Sequence, residues 1–229
     1  MAVYAVVPLK NLTVSKRRLS TVFTPLERRQ LTLAMLEDVL NALKASVVDK
    51  IVVIGEDVPV QEMAVKFGAS FLWAKGASLN PAIEEATFWS VRDGAKSVLV
   101  LPEDIPLLIA KDLNRILELG AKGGSAVVLS PSQNWGTSAL FQSPPQLIPP
   151  RFGPKSFLSH VQEAYRKGIS VRLYFSNGLA TDIDSAEDLK KLFEAENITV
   201  CRKVLEQIVL NSSKANKFFA ASLGLKNKR

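Results

Sequence analysis

The stretch Lys96–Leu108 reads KSVLVLPEDIPLL. A short apolar run, Val98–Leu101, stops at Pro102; Glu103 and Asp104 follow, and apolar character resumes at Ile105. An apolar run of this length bounded by proline predicts a strand buried on both faces. Strands of that kind belong to parallel sheets, whose C-terminal ends open into the crevice where ligands bind. Asp104 falls just past such an end, so the motif bears on fold and chemistry together.

The same grammar runs outward in both directions. VYAVVPL, near the N-terminus, is rich in β-branched residues and predicts the first strand; KIVVIGED, ASFLW and SAVVLS predict others. Between them lie amphipathic stretches. From Pro25 to Lys44 the positions Leu31, Met35, Leu36, Val39, Leu40 and Leu43 share one helical face, with Thr24 as N-cap and proline at the first helical position. Further helices are expected over 60–67, from an Asn80 cap through Val91, over 111–119, from Ser156 to Lys167, and from Ser185 over 186–193. SVRLYF predicts one more strand. Alternation of this kind predicts an α/β fold, a mostly parallel mixed sheet covered by helices on both faces. The segment 131–154 holds six prolines in 24 residues and reads as a long loop, a feature that is usually functional inside a compact domain.

Composition narrows the classes. The 229 residues are 47% apolar, enough for a sizeable core. No run approaches the ~18 apolar residues of a membrane span. MAVYAVVPLK lacks a basic leader and a small-residue cleavage site, and one cysteine, Cys201, excludes an internal disulfide; a cytoplasmic protein is expected. The net charge is +7, but residues 201–229 hold seven Lys or Arg against one Glu, a net of +6 that leaves +1 for the first 200 residues. The basic character is mostly a tail, and RKVLEQIVL within it sets Val204, Leu205, Ile208 and Val209 on one helical face. That face would pack on the body or on a second subunit, as in a homodimer. The chain is read as a domain over 1–197 followed by a basic, partly helical extension over 198–229.

A second acidic pair, Asp182 and Asp184 in TDID, also lies between a strand and a helix. In an extended segment, i and i+2 point the same way. Three hard oxygen ligands from two loops suit Mg²⁺, which keeps several waters and takes few protein carboxylates. Each pair alone is also explained by capping, with Asp104 closing a turn and Asp184 or Ser185 opening a helix. Chemistry here has little imidazole to draw on: His160 is the only histidine and is expected on a helix surface. There is no Walker-type phosphate loop. Transfer to a phosphate fits that constraint, because a phosphate monoester, with a second pKa near ~6, is already anionic. The loop PLKNLTVSKRRLS brings Lys10, Lys16 and Arg18 to the same sheet end, where they could neutralise a triphosphate or simply remain solvated. Gly136 and Gly153 allow close backbone approach, and Ser156 opens a helix either as an ordinary cap or as an anion site.

The ordered series PLK…SKRRL, LPEDIPLL, GTSAL, FGPKSF and DIDSAEDL resembles the 2-phospho-L-lactate guanylyltransferase family of coenzyme F420 biosynthesis, from about Val3 to Phe193. The resemblance implies a single-domain, Rossmann-like nucleotidyltransferase fold, similar to molybdopterin guanylyltransferases and GT-A glycosyltransferases. It implies transfer of GMP from GTP to the phosphate of 2-phospho-L-lactate or phosphoenolpyruvate, with release of pyrophosphate. By motif position it implies Mg²⁺ at Asp104, Asp182 and Asp184, and catalytic roles for Asp104, Lys16 and Arg18. The nucleotide would meet Pro8, Leu9, Lys10, Lys16, Arg18, Asn80 and Pro102, and the phospho-acid Thr137, Gly153 and Ser156. The chain departs from the family at Arg17, Ser138 and Ile105, where a small residue, Asn and Leu are frequent. Two other readings stay open: a related nucleotidyltransferase or glycosyltransferase with another acceptor, and a nucleic-acid-binding protein acting through its tail. The glycine-free loop after the first strand counts against sugar nucleotidyltransferases, and the neutral body against nucleic acid.

Overall fold

The computed structural model describes residues 2–9, 11–13, 16–76 and 78–223. Lys10, expected at the nucleotide, lies outside them. In chain order the elements are β1 (Val3–Pro8), a 3-10 turn (Arg17–Thr21), α1 (Pro25–Lys44), β2 (Lys50–Gly55), α2 (Val58–Lys66), β3 (Ser70–Trp73), α3 (Leu79–Arg92) and β4 (Ser97–Val100). They continue with α4 (Ala110–Ala121), β5 (Ala126–Pro131), β6 (Thr137–Ser143), α5 (Ser156–Arg166), β7 (Val171–Leu173) and the one-turn α6 (Asn177–Ala180). A 3-10 turn (Asp188–Lys190), α7 (Lys191–Glu194), α8 (Val200–Asn211) and α9 (Ser213–Leu223) complete the described chain.

The strands form one sheet in the order β3-β2-β1-β4-β6-β5-β7. Pairing is parallel except that β6 runs antiparallel between β4 and β5. Period-2 alternation sorts the side chains cleanly. Val3, Ala5 and Val7 of β1 pack with α1, α2 and α4 on one face, while Tyr4 and Val6 pack with α3 and α5 on the other.

β6 corrects the expected long loop. TSALFQS carries four hydroxyl or amide side chains and so reads as polar, yet every residue of it is buried. The polar groups are matched inside: Ser138 Oγ donates to the Ser130 carbonyl and Gln142 Oε1 accepts from Ile148 N. The helix expected from Ser185 is instead a turn in which Ser185 N and Oγ both donate to Asp188, leading into the short 3-10 and α7 turns.

Helix α1 begins as expected: Thr24 accepts from Glu27 N, and Glu27 answers on Thr24 N, a full capping box ahead of the buried stripe. The basic C-terminal segment packs on the body. Cys201, Leu205, Ile208 and Val209 of α8 and Phe219 of α9 join Leu31, Ala34 and Met35 of α1 in a third core cluster, with Leu19 and Ile183. Asp38 of α1 fastens this contact by accepting from Val200 N at 2.7 Å and Cys201 N at 2.8 Å, the free donors of the α8 N-terminus. Asp38→Ala strands those donors and should cost about 2–3 kcal/mol. A lower urea midpoint with an unchanged denaturant slope is the expected result; an unshifted midpoint would show that α8 docks without it.

Candidate functional site

Asp104, Asp182 and Asp184 each sit beside a fully buried anchor. Ile105 and Ile183 are both 0% exposed, so their neighbours Asp104, Asp182 and Asp184 are turned away from the core. The two loops are tied by a main-chain bond, Ile183 N to the Asp104 carbonyl at 2.9 Å. TDID thereby lies alongside the turn that follows β4.

Lys16 closes the cluster. Its ammonium meets Asp104 Oδ2 at 2.6 Å and Asp184 Oδ1 at 3.3 Å, and its side chain is only 5% exposed. Burial pulls its pKa down, but the charges of Asp104, Glu103 and Asp184 outweigh that and raise it above the ordinary lysine value. Lys16 also holds φ +51°, in the left-handed region where a side chain costs roughly 1–2 kcal/mol, and its ion pairs offset that strain. Asp182 feels the reverse balance: burial first, then the charges of Asp104 and Asp184, raise its carboxyl. Arg18 reaches Asp184 at 3.9 Å but is 76% exposed, leaving its guanidinium open to solvent. Among the described residues no three His, Cys, Asp or Glu side chains surround a common point as they stand.

A recess of about 440 Å³ opens at the ends of β1, β2 and β3, within the usual range for small-ligand sites. Pro8, Leu9, Ile54, Ala74, Asn80, Phe152 and Gly153 line it, together with Glu56, which the sequence reading did not single out. Glu56 is half-buried and has no hydrogen bond or ion pair to another described residue. Pro102 lies in the turn that carries Asp104, half-buried, and is not among the recess-lining residues. Asn80 is not the cap of α3; Ser78 is. Its amide instead exchanges two bonds with the main chain of Phe152, Nδ2 to the carbonyl at 3.1 Å and Phe152 N to Oδ1 at 2.8 Å. That pair pins the FGPKS loop over the recess. A larger groove, about 860 Å³, opens between α1 and the α7–α8 connection, but none of the motif carboxylates or cations lines it.

Thr137, Gly153 and Ser156 come together at the foot of β6. Ser156 Oγ donates to Thr137 Oγ1 at 3.1 Å. Ser156 is the first residue of α5 rather than its cap, because Lys155, in the left-handed region, precedes it. Gly153 has φ +149°, a conformation that side chains rarely adopt, and a Cβ there would meet nothing within 4 Å. His160 corrects the surface expectation. It is fully buried, with Nδ1 2.8 Å from Thr137 Oγ1 and Nε2 accepting from Arg151 N at 2.8 Å. Burial lowers its pKa to about 4. The signal was present in the spacing, since Phe157, His160 and Ala164 share one apolar helical face.

Comparison with known proteins shows the family and the fold. Residues 3–219 match the family model described as guanylyl transferase CofC like, further along the chain than the motifs extend. A phosphoenolpyruvate guanylyltransferase of Rubrobacter xylanophilus is 40% identical, covering 84% of this chain and 94% of its own. A 2-phospho-L-lactate guanylyltransferase of Methanothermobacter thermautotrophicus is 35% identical, covering 91% and 92%. Among solved structures, a nucleotidyl transferase of Methanothermobacter has the same fold at 16% identity, with a TM-score of 0.62 over 84% of this chain and 96% of that one. A protein of Desulfovibrio desulfuricans reaches 0.77 at 16% identity, over 95% and 99%.

The buried imidazole makes stability depend on pH. Folded His160 stays neutral down to about 4, whereas the unfolded side chain protonates near 6.5. Its contribution is therefore complete above about 6.5 and is lost as pH falls towards 4, about 3 kcal/mol in all. Asp38 acts in the opposite sense, because burial pushes its carboxyl up to about 6 and the folded state keeps that proton. Comparing urea midpoints of the wild type and His160→Phe at neutral pH and near pH 4.5 cancels the carboxylates. The wild type should lose about 2–3 kcal/mol more than the variant; equal losses would contradict a neutral buried imidazole.

Proposed function

The chain belongs to the CofC-like guanylyl transferase family, and we propose that it transfers GMP from GTP to the phosphate of phosphoenolpyruvate or 2-phospho-L-lactate, releasing pyrophosphate, in coenzyme F420 biosynthesis. The observation that carries this reading is the placement, at the same end of the sheet, of the Lys16–Asp104–Asp184 cluster and the Thr137–Ser156 hydroxyl pair. One group suits a cation-bound triphosphate and the other a small phosphorylated acid.

The donor set fits a divalent ion. Asp104, Asp182 and Asp184 offer only hard oxygens, and the Lys16 ammonium already compensates two of them. Asp104, Asp182 and Asp184 would hold Mg²⁺, which supplies charge neutralisation for the triphosphate and for the departing pyrophosphate. A lysine ammonium is charged across the working range, and Lys16 would offer it to the phosphate oxygens. Arg18 offers an exposed bidentate fork for phosphate oxygens. No side chain need remove a proton, because the acceptor phosphate is largely dianionic above its second pKa of about 6. His160, bonded at both ring nitrogens, is not free to act as a base. The chain's task is alignment of two anions for in-line displacement.

The guanine is assigned to the 440 Å³ recess, between Pro8, Leu9 and the Asn80-pinned loop. The carboxylate of Glu56 is the complement of the guanine edge, where N1–H and the exocyclic amine are both donors.

The test is pyrophosphate release by the purified protein with Mg²⁺, across four nucleoside triphosphates and a panel of phospho-acids. Release with GTP and a three-carbon phospho-acid is expected, and Asp104→Asn should lower turnover by about 100-fold or more. Activity confined to another acceptor class would sink the substrate reading; an Asp104→Asn variant of full activity would sink the site. Glu56→Gln should lower kcat/KM for GTP by roughly tenfold while leaving slow use of ATP unchanged. An equal fall for both nucleotides would remove Glu56 from base selection.

A further inference from the structure

The hydroxyl pair at the foot of β6 has a fixed polarity, and the source of that polarity is His160. A main-chain N–H can only donate, so the 2.8 Å contact from Arg151 N makes Nε2 the acceptor. A neutral imidazole then carries its proton on Nδ1, and Nδ1–H donates to Thr137 Oγ1 at 2.8 Å, with the Ser156 main chain also bonding the ring. Thr137 Oγ1 also accepts from Ser156 Oγ at 3.1 Å. Both lone pairs of the threonine oxygen are thus occupied, and its own proton must be given to an acceptor outside the three residues. Were the Ser156–Thr137 bond reversed, the serine proton would be the one left over. Either way the triad sends out one hydroxyl proton, from a buried position close to Gly153 in sequence and space.

We propose that His160 is a positioning residue for the acceptor substrate: by donating from Nδ1 to Thr137 it commits the Thr137–Ser156 pair to present a hydroxyl proton to the anionic group of the phospho-acid. This rests on the reading of that pair as the phospho-acid subsite. The surroundings keep the ring in the required state. Arg151, on the loop before α5, and Glu163, on α5 itself, are the charged groups that act on it, and they pair with each other at 3.0 Å. β6 contributes only the uncharged Thr137, and the Phe152 ring packs against the imidazole at 5.0 Å. A doubly protonated imidazole would set Nε2–H against the Arg151 N–H, donor against donor.

Two variants and one measurement on the unaltered protein test this. His160→Phe fills the space without a donor; His160→Asn returns an amide N–H near the place of Nδ1–H. The Phe variant should raise KM for the phospho-acid by about tenfold or more while KM for GTP stays within about twofold, and Asn should recover most of the loss. An unchanged acceptor KM in His160→Phe, or equal rises in both KM values, overturns the proposal. Since His160 is the chain's only histidine, ¹⁵N imidazole NMR reads its tautomer without assignment and without any variant. The Nδ1–H form is expected near neutral pH, with the Nδ1 signal moving when phosphoenolpyruvate is added. An Nε2–H tautomer, or a static signal in protein that turns over phosphoenolpyruvate, overturns the positioning role alone. A wild type that uses no phospho-acid overturns the substrate reading and this inference together.

Discussion

The C-terminal end of the central strand β4 gathers negative charge that calls for a cation. The bond from Ile183 N to the Asp104 carbonyl draws two acidic loops together, and their carboxylates repel in a partly buried setting. Lys16 answers with a single ammonium bonded to Asp104 and Asp184. Lys16 and Asp182 both hold their protons more tightly than usual, Lys16 because the surrounding carboxylates outweigh its burial and Asp182 because burial and the charges of Asp104 and Asp184 act together. Asp104, Asp182 and Asp184 would be the residues to hold a divalent ion there, and Lys16 would offer its ammonium to phosphate oxygens. The left-handed backbone at Lys16 is consistent with a side chain held where its partners need it rather than where the chain would relax.

Topology decides what stands opposite that cluster. In a wholly parallel sheet only C-terminal strand ends would reach the end of the sheet near Asp104. β6, running antiparallel between β4 and β5, delivers its first residue there instead. Thr137 arrives by that route, and α5 brings Ser156 and His160 against it. One reversed strand therefore brings the hydroxyls to the sheet end where Asp104 follows β4, and the segment after α6 brings Asp182 and Asp184 alongside.

The legible parts of this arrangement were those written in local chemistry. The capping box of α1, the β-branched strands and the acids that follow β4 all declare themselves within a few residues, and the structure has them nearly where the pattern puts them. β6 did not, because its buried face carries Ser, Thr and Gln whose partners lie on β5 and in the proline-rich loop, far off in sequence. Asn80 next to Pro81 imitates a helix cap, and only the position of Phe152, 72 residues away, shows what its amide is for. His160 is the instructive case. Its helical spacing placed it with Phe157 and Ala164, yet the general preference of histidine for partly exposed positions outweighed that spacing. Lys16, by contrast, was read from its neighbourhood, though nothing in a run of basic residues distinguishes the one that is buried from those that are not.

The burial of the sole histidine has a chemical logic of its own. An enzyme that must deprotonate an alcohol keeps an imidazole accessible and tuned near neutrality. An acceptor that is already a phosphate dianion removes that demand. The imidazole can then be spent on geometry: neutral, bonded at both nitrogens, and fixed in one tautomer by a main-chain N–H that cannot change its role. A surface histidine would rotate and exchange tautomers, and the hydroxyls leaning on it would lose their direction. Burial that makes His160 a poor base is thus the same burial that makes it a reliable donor.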